Sequence, residues 1–116
     1  MERVVLYHNP ACSNSRGALD LLKERGVPFD IIEYLKVPPT GADLERILRL
    51  IDSPPADLVR KDKRFKELGL DAGSYTDEKS VVALLLKHPE LMQRPIVIRG
   101  GRAKIARPSA LLNELF

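Results

Sequence analysis

The sequence predicts an α/β domain: a small mixed four-stranded sheet built from a β-α-β half and a β-β-α half, with a helical insertion at about 38–92 between them. Three observations carry this. Short apolar runs at 4–7 and 29–34 flank a helical pattern, which implies a parallel strand pair joined by a right-handed crossover. The run 95–98, the pair Gly100-Gly101 and the segment 103–106 read as a hairpin. Between the two halves, apolar residues recur at helical spacing.

Residues 4–7, Val-Val-Leu-Tyr, are β-branched and aromatic in a continuous run, the mark of a short buried strand. From Ser13 to Arg25 a helix is expected, with Ala18, Leu21 and Leu22 on its apolar face. Gly26 stops it and Pro28 follows. A second strand runs from Phe29 to Tyr34 and breaks at Val37-Pro38-Pro39. Thr40 can cap the next helix, with Asp43 in its first turn and Leu44, Ile47, Leu48 and Ile51 as its stripe. Ser53-Pro54-Pro55 ends that helix. Short helices with a loop follow to Leu68, rich in basic residues (Arg60, Lys61, Lys63, Arg64, Lys66), and 69–74 is a linker. Thr76-Asp77-Glu78 caps a helix to Lys87 that is apolar over most of its girth and so should be well buried. Pro95 can open the third strand. Gly100 and Gly101 accept the positive φ angles of a primed turn, and Pro108 opens a final helix with Leu111, Leu112, Leu115 and Phe116 on its apolar side.

With 116 residues, 44% hydrophobic and 30% charged, the chain suits one domain spanning 1–116. The net charge of +3 comes with no dense basic run interleaved with aromatics, so nucleic acid is not an expected partner; a small anion is compatible. A single cysteine rules out an intramolecular disulfide and fits a reducing compartment. Met1-Glu2-Arg3 lacks the apolar segment of a signal peptide, and the longest aliphatic run, 81–86, is too short for a bilayer. The expectation is a cytoplasmic monomer with no membrane association, no bound cofactor and no metal, since one cysteine and two histidines show no ligand spacing.

The chemistry concentrates at 7–16, Tyr-His-Asn-Pro-Ala-Cys-Ser-Asn-Ser-Arg. The order strand, polar loop, helix puts Cys12 at or just before a helix N-terminus. There the free N–H groups and the helix dipole favour a thiolate, the nucleophilic form, and can cradle an oxyanion. A free cysteine is more often a small buried hydrophobe. Here its neighbours Pro10, Ser13, Asn14, Ser15 and Arg16 make a polar turn rather than a core face. Arg16 could hold the anion or a structural ion pair, and His88 reads as a C-terminal cap or a surface residue.

A β-α-β and a β-β-α unit sharing one sheet is the thioredoxin-like arrangement. Across nearly its whole length the chain resembles the glutaredoxin-coupled arsenate reductase (ArsC) family, as a short member. The matching motifs are Tyr-His-Asn-Pro-Ala-Cys at 7–12, Ser15-Arg16, Pro38-Pro39, Leu-Val-Arg-Lys at 58–61, His88-Pro89, Arg-Pro-Ile-Val at 94–97 and Arg-Pro-Ser at 107–109. It departs from the best-known members in having Ser13-Asn14 where they have Gly-Thr, and in ending one helix after Arg107.

The resemblance implies that Cys12 attacks arsenate and that Arg60, Arg94 and Arg107 bind the oxyanion and stabilise the thiolate and its adduct. His8 influences the thiol's ionisation and Ser15 contacts it. Glutathione and glutaredoxin supply the electrons as external reductants, with glutaredoxin as the protein partner. It also implies a cis bond at Arg94-Pro95, which an X–Pro bond tolerates at little cost. Guanidinium forks suit a tetrahedral oxyanion better than ammonium does. One rival is a monothiol-glutaredoxin-like oxidoreductase, from the Cys12-x-x-Ser15 spacing. A second is a non-enzymatic Spx-like regulator, which generally needs a second cysteine where Ser15 stands. A cysteine phosphatase needs an arginine six residues after the cysteine, and Ala18 stands there.

Overall fold

The computed structural model describes residues 3–116; the reading of the N-terminus at Met1 and Glu2 lies outside the described residues. The chain runs β1 (Val4–His8), α1 (Ser13–Arg25), β2 (Phe29–Glu33), α2 (Gly41–Leu50), a 3-10 turn at Pro55–Leu58, α3 (Lys63–Glu67), a 3-10 turn at Ala72–Ser74 and α4 (Glu78–Lys87). A 3-10 turn at Pro89–Leu91, β3 (Ile96–Arg99), β4 (Arg102–Ile105) and a 3-10 segment at Ser109–Leu115 complete it.

The four strands form one mixed sheet in the order β2-β1-β3-β4. β1 pairs parallel with β2, placing Val4 against Phe29 and His8 against Glu33. β1 is antiparallel to β3, and β3 to β4. Side chains alternate across the sheet, so each strand feeds two cores. Val4, Leu6 and Val97 pack with Ala18, Leu22, Leu112 and Leu115 on the face covered by α1 and the C-terminal segment. Tyr7, Ile96 and Ile98 pack with Leu44, Ile47, Val81, Leu85 and Met92 on the face covered by α2 and α4.

Local chemistry explains the boundaries. Gly26 closes α1 at φ 66, the left-handed conformation that relieves the last carbonyls. Thr40 caps α2 through a reciprocal box: its side chain accepts from the Asp43 N–H, and the Asp43 carboxylate accepts from the Thr40 N–H. Asp77 caps α4 by accepting from the Ser80 N–H at 2.8 Å. Of the two turn glycines, Gly100 has positive φ, the pattern of a type II′ hairpin.

Several expectations are corrected. The final helix is a 3-10 segment. Its buried residues, Leu112 and Leu115, are three apart, matching three residues per turn, and no side chain caps its start. α4 is not buried around its girth: Val81, Leu84 and Leu85 face the core while Leu86 is 49% exposed, because only one side of the helix meets α2 and the sheet. Tyr34 falls just past β2 rather than within it. The linker at 69–74 contains a 3-10 turn, in which Asp71 accepts from the Gly73 N–H.

Candidate active site

The sheet's connectivity gathers distant segments at one end. β1 and β2 run parallel, so both finish there, delivering the loop after His8 and the residue Tyr34. β3 is antiparallel to β1, with Ile96 opposite Tyr7, so Arg94-Pro95 enters at the same end. Ile105 lies opposite Ile96, which brings Arg107 back to it. The Ala106 N–H donates to the Pro95 carbonyl at 2.9 Å and ties the two approaches together. Arg94-Pro95 is cis, as the resemblance implied, and so is Arg107-Pro108. Arg60 arrives from the helical insertion. An isolated antiparallel bridge joins Val59 to Met92. The Arg60 N–H donates to Leu91 O at 2.6 Å and the Gln93 N–H to Leu58 O at 2.7 Å, which holds Arg60 near Arg94 in space.

The loop itself is a tight turn. The Cys12 N–H donates to Asn9 O at 3.0 Å, and the Ala11 N–H donates to Asn9 Oδ1 at 3.0 Å. Arg16 donates from Nη1 to Pro10 O at 2.9 Å, so it braces the turn from outside. Cys12 is the N-cap of α1, with extended backbone and no cap hydrogen bond from its side chain. The first-turn N–H groups of Asn14 and Ser15 are thus available to its sulfur.

These surroundings set the thiol. Burial pushes its pKa up. The Ser15 N–H, the Arg94 side chain, the Ser15 hydroxyl and the Asn14 N–H pull the other way and win, bringing it below the ordinary thiol range to about 7. Arg107 reaches the sulfur directly, Nη1 to Sγ at 3.7 Å, and is itself fixed by donating to Arg94 O at 2.9 Å. Arg94 is the stronger influence on the thiol's acidity, and a 3.7 Å N–H···S bond is long enough to be the weaker one.

Arg60 belongs to the same electrostatic cluster. Burial lowers its pKa first; the positive charges of Arg94 and Arg107 lower it further, while Asp62 and Cys12 pull it back up. Its ion pair with Asp62, at 3.0 Å, is partly buried and offsets some of the repulsion among three guanidiniums. The structure thus brings Cys12, Ser15, Arg60, Arg94 and Arg107 within one another's influence. An anion there would relieve the mutual repulsion of the arginines.

His8 is buried at the end of β1. Its pKa is lowered, chiefly by burial with a smaller push from Arg16, against upward pulls from Glu33 and the Ser15 backbone. It is therefore a neutral imidazole near pH 7, and the leading influences on Cys12 come from Ser15, Arg94 and Asn14 rather than from His8. His88 is remote in role: its Nδ1 lies 3.2 Å from Glu90 Oε2, which also pairs with Arg64. Among the described residues no group of three or more His, Cys, Asp or Glu side chains could hold a metal.

The sequence reading passed over Tyr34. It is fully buried, and its phenol responds to Arg94, Cys12 and Arg60. The available signal was its place at the carboxyl end of a parallel strand, where α/β sheets bind ligands.

Comparison with known proteins agrees with this architecture. The model of the ArsC family matches residues 7–115. The chain is 40% identical to the uncharacterized protein YfgD of Escherichia coli, covering 98% of this chain and 97% of that one. It is 39% identical to an arsenate reductase of Neisseria meningitidis, covering 93% of each. Among solved structures, an arsenate reductase from Vibrio cholerae superposes with a TM-score of 0.88 at 34% identity, covering 99% of this chain and 98% of that one.

Proposed function

The chain belongs to the ArsC family, and we propose that it reduces arsenate to arsenite through a covalent adduct on Cys12. The observation that carries this reading is a thiol with a pKa of about 7 at a helix N-terminus, facing a cluster of three arginines. A thiolate alone would serve many reactions. A thiolate among guanidiniums that carry one acidic partner, Asp62, suits a doubly negative tetrahedral oxyanion.

Arg60, Arg94 and Arg107 are assigned to holding the oxyanion. They offset the repulsion between its charge and the incoming sulfur. The Cys12 thiolate forms an S–As bond, and one arsenate oxygen, protonated from solvent, leaves as water. Arsenic is still pentavalent in this adduct. An external thiolate then attacks the Cys12 sulfur. An S–S bond forms, the S–As bond breaks, and its electron pair stays on arsenic, which departs as arsenite. A second thiol resolves the mixed disulfide and restores Cys12. With a single cysteine the chain cannot supply these electrons itself, and glutathione with glutaredoxin is the external system assigned here. Ser15 is assigned to stabilising the thiolate and His8 to supporting the loop as a neutral buried group. The reading places the protein in the cytoplasm as a monomer.

The test is arsenate-dependent NADPH oxidation with glutathione, glutaredoxin and glutathione reductase, comparing the wild type with Cys12→Ser. Turnover in the wild type and its loss in the variant is expected, because a serine hydroxyl is a far poorer nucleophile at neutral pH. A wild type that turns over mixed glutathione disulfides but leaves arsenate untouched would overturn the assignment and favour a monothiol oxidoreductase.

A further inference from the structure

Five buried side-chain polar atoms have no hydrogen-bond partner of good geometry among the described residues: His8 Nδ1, Ser15 Oγ, Tyr34 Oη, Gln93 Oε1 and Arg94 Nε. Buried polar groups are nearly always paired, so each orphan asks for an explanation. These five are not scattered. All sit at the end of β1, on the first turn of α1, at the end of β2 or just before β3, the segments that meet at the thiol end of the sheet. That clustering is what a binding site looks like before its ligand arrives.

Two of the orphans, Tyr34 and Gln93, have no role so far; Gln93 Oε1 is an acceptor and cannot serve an anion, whereas the Tyr34 hydroxyl can donate. The tyrosine ring is fully buried in the core under α2 and α4, so its position is fixed by packing. Asn9 is the neutral neighbour within reach of its oxygen. Asn9 pulls the phenol's pKa down, as a donor to its oxygen does, so it serves the phenol with its NH2 group. The phenol hydrogen is then left with no acceptor. Burial raises the phenol's pKa, outweighing the opposite pull of Arg94 and Arg60, so the group keeps this proton at neutral pH.

Resting on the oxyanion reading above, we infer that Tyr34 is a fourth oxyanion-binding residue, donating its O–H to an oxygen of the anion held by Arg60 and Arg94. A neutral donor adds a directed hydrogen bond without adding to the repulsion among the arginines. It also explains why a fully buried hydroxyl is kept without a partner: the ligand is the partner.

The experiment measures protection of Cys12 from iodoacetamide by arsenate and, separately, by sulfate, in the wild type and in Tyr34→Phe. The expected result is that Tyr34→Phe raises the anion concentration for half-protection about tenfold and leaves the alkylation rate without anion unchanged. The Tm should hold, since the hydrogen of the lost hydroxyl had no protein acceptor. Equal half-protection in the two proteins overturns the inference while leaving the reductase reading intact. Protection by both anions without arsenate turnover overturns the reductase reading, and Tyr34 is then judged by the protection ratio alone. No protection of the wild type by either anion overturns both. Should Tyr34→Phe fail to fold, the wild type still decides: the chain has three tyrosines and no tryptophan, so anion binding must change the near-ultraviolet tyrosine spectrum, and a flat difference spectrum overturns the inference.

Discussion

Removing the Ser15 hydroxyl should make Cys12 a weaker acid without weakening the fold at pH 6, where the thiol is protonated. Ser15 is fully buried, and its hydroxyl has no conventional partner in the resting protein. Yet it is one of the groups that pull the thiol down to about 7. Its hydrogen bond is therefore made in full only when the sulfur is charged. A hydrogen bond to a charged acceptor is worth about 1.5–3 kcal/mol, and one pKa unit is about 1.4 kcal/mol. At the low end of that range, Ser15→Ala moves the thiol from about 7 to about 8. The thiolate fraction at pH 7 then falls from about one half to about one tenth, a roughly fivefold loss. The sign follows from the direction of the shift. The thiol is depressed in the folded state, so the thiolate's stabilisation is present at high pH and is lost as pH falls through about 7. The assay is the rate of Cys12 alkylation against pH. The variant's curve should lie about one unit higher, with the largest rate deficit below pH 7 and none in alkaline solution. The Tm near pH 6, where the thiol is protonated, should not drop, because deleting an unpaired buried hydroxyl removes a desolvation cost. An unchanged alkylation curve with a lowered Tm would refute this reasoning and make Ser15 a structural hydroxyl.

Arg107→Ala should both raise the thiol pKa and weaken arsenate use, since Nη1 bridges Cys12 Sγ and Arg94 O; kcat/KM should fall by about 10–100-fold, and unchanged kinetics would remove Arg107 from the site. Gly26→Ala should destabilise by about 1–2 kcal/mol in a urea titration, because the residue sits at φ 66 with open space around it; the cost is backbone strain, and activity per folded molecule should be unchanged.

Local signals in the chain carried much of this. The apolar run into Tyr7, the polar turn and the helical spacing after Ser13 placed Cys12 at the head of α1, where it is found. Thr40 with Asp43, and Gly26, marked helix ends through interactions spanning a few residues, which sequence reports directly. Boundaries set by packing were less visible. Leu86 is as apolar as Leu85, and only the one-sided contact of α4 decides that one is exposed and the other buried. The C-terminal segment has good helix formers, yet it winds as a 3-10 helix over the core.

What the sequence determined by itself was the element order and the place of its one cysteine at a helix N-terminus, because these rest on neighbours in the chain. Arg60, Arg94 and Arg107 were named there only through likeness to a family. Nothing in their spacing shows that they meet, and Arg107 lies 95 residues from the sulfur it touches. Their convergence was decided by the sheet order, which turns the ends of β1, β2 and β4 and the start of β3 to one side, and by the Val59–Met92 bridge that draws Arg60 in. Tyr34 shows the same limit most sharply. In the sequence it is one more aromatic at the end of a strand. Only tertiary packing leaves its hydroxyl buried, unpaired and among the charges of the thiol site, because hydrogen-bond satisfaction belongs to the assembled structure and not to any one segment of it.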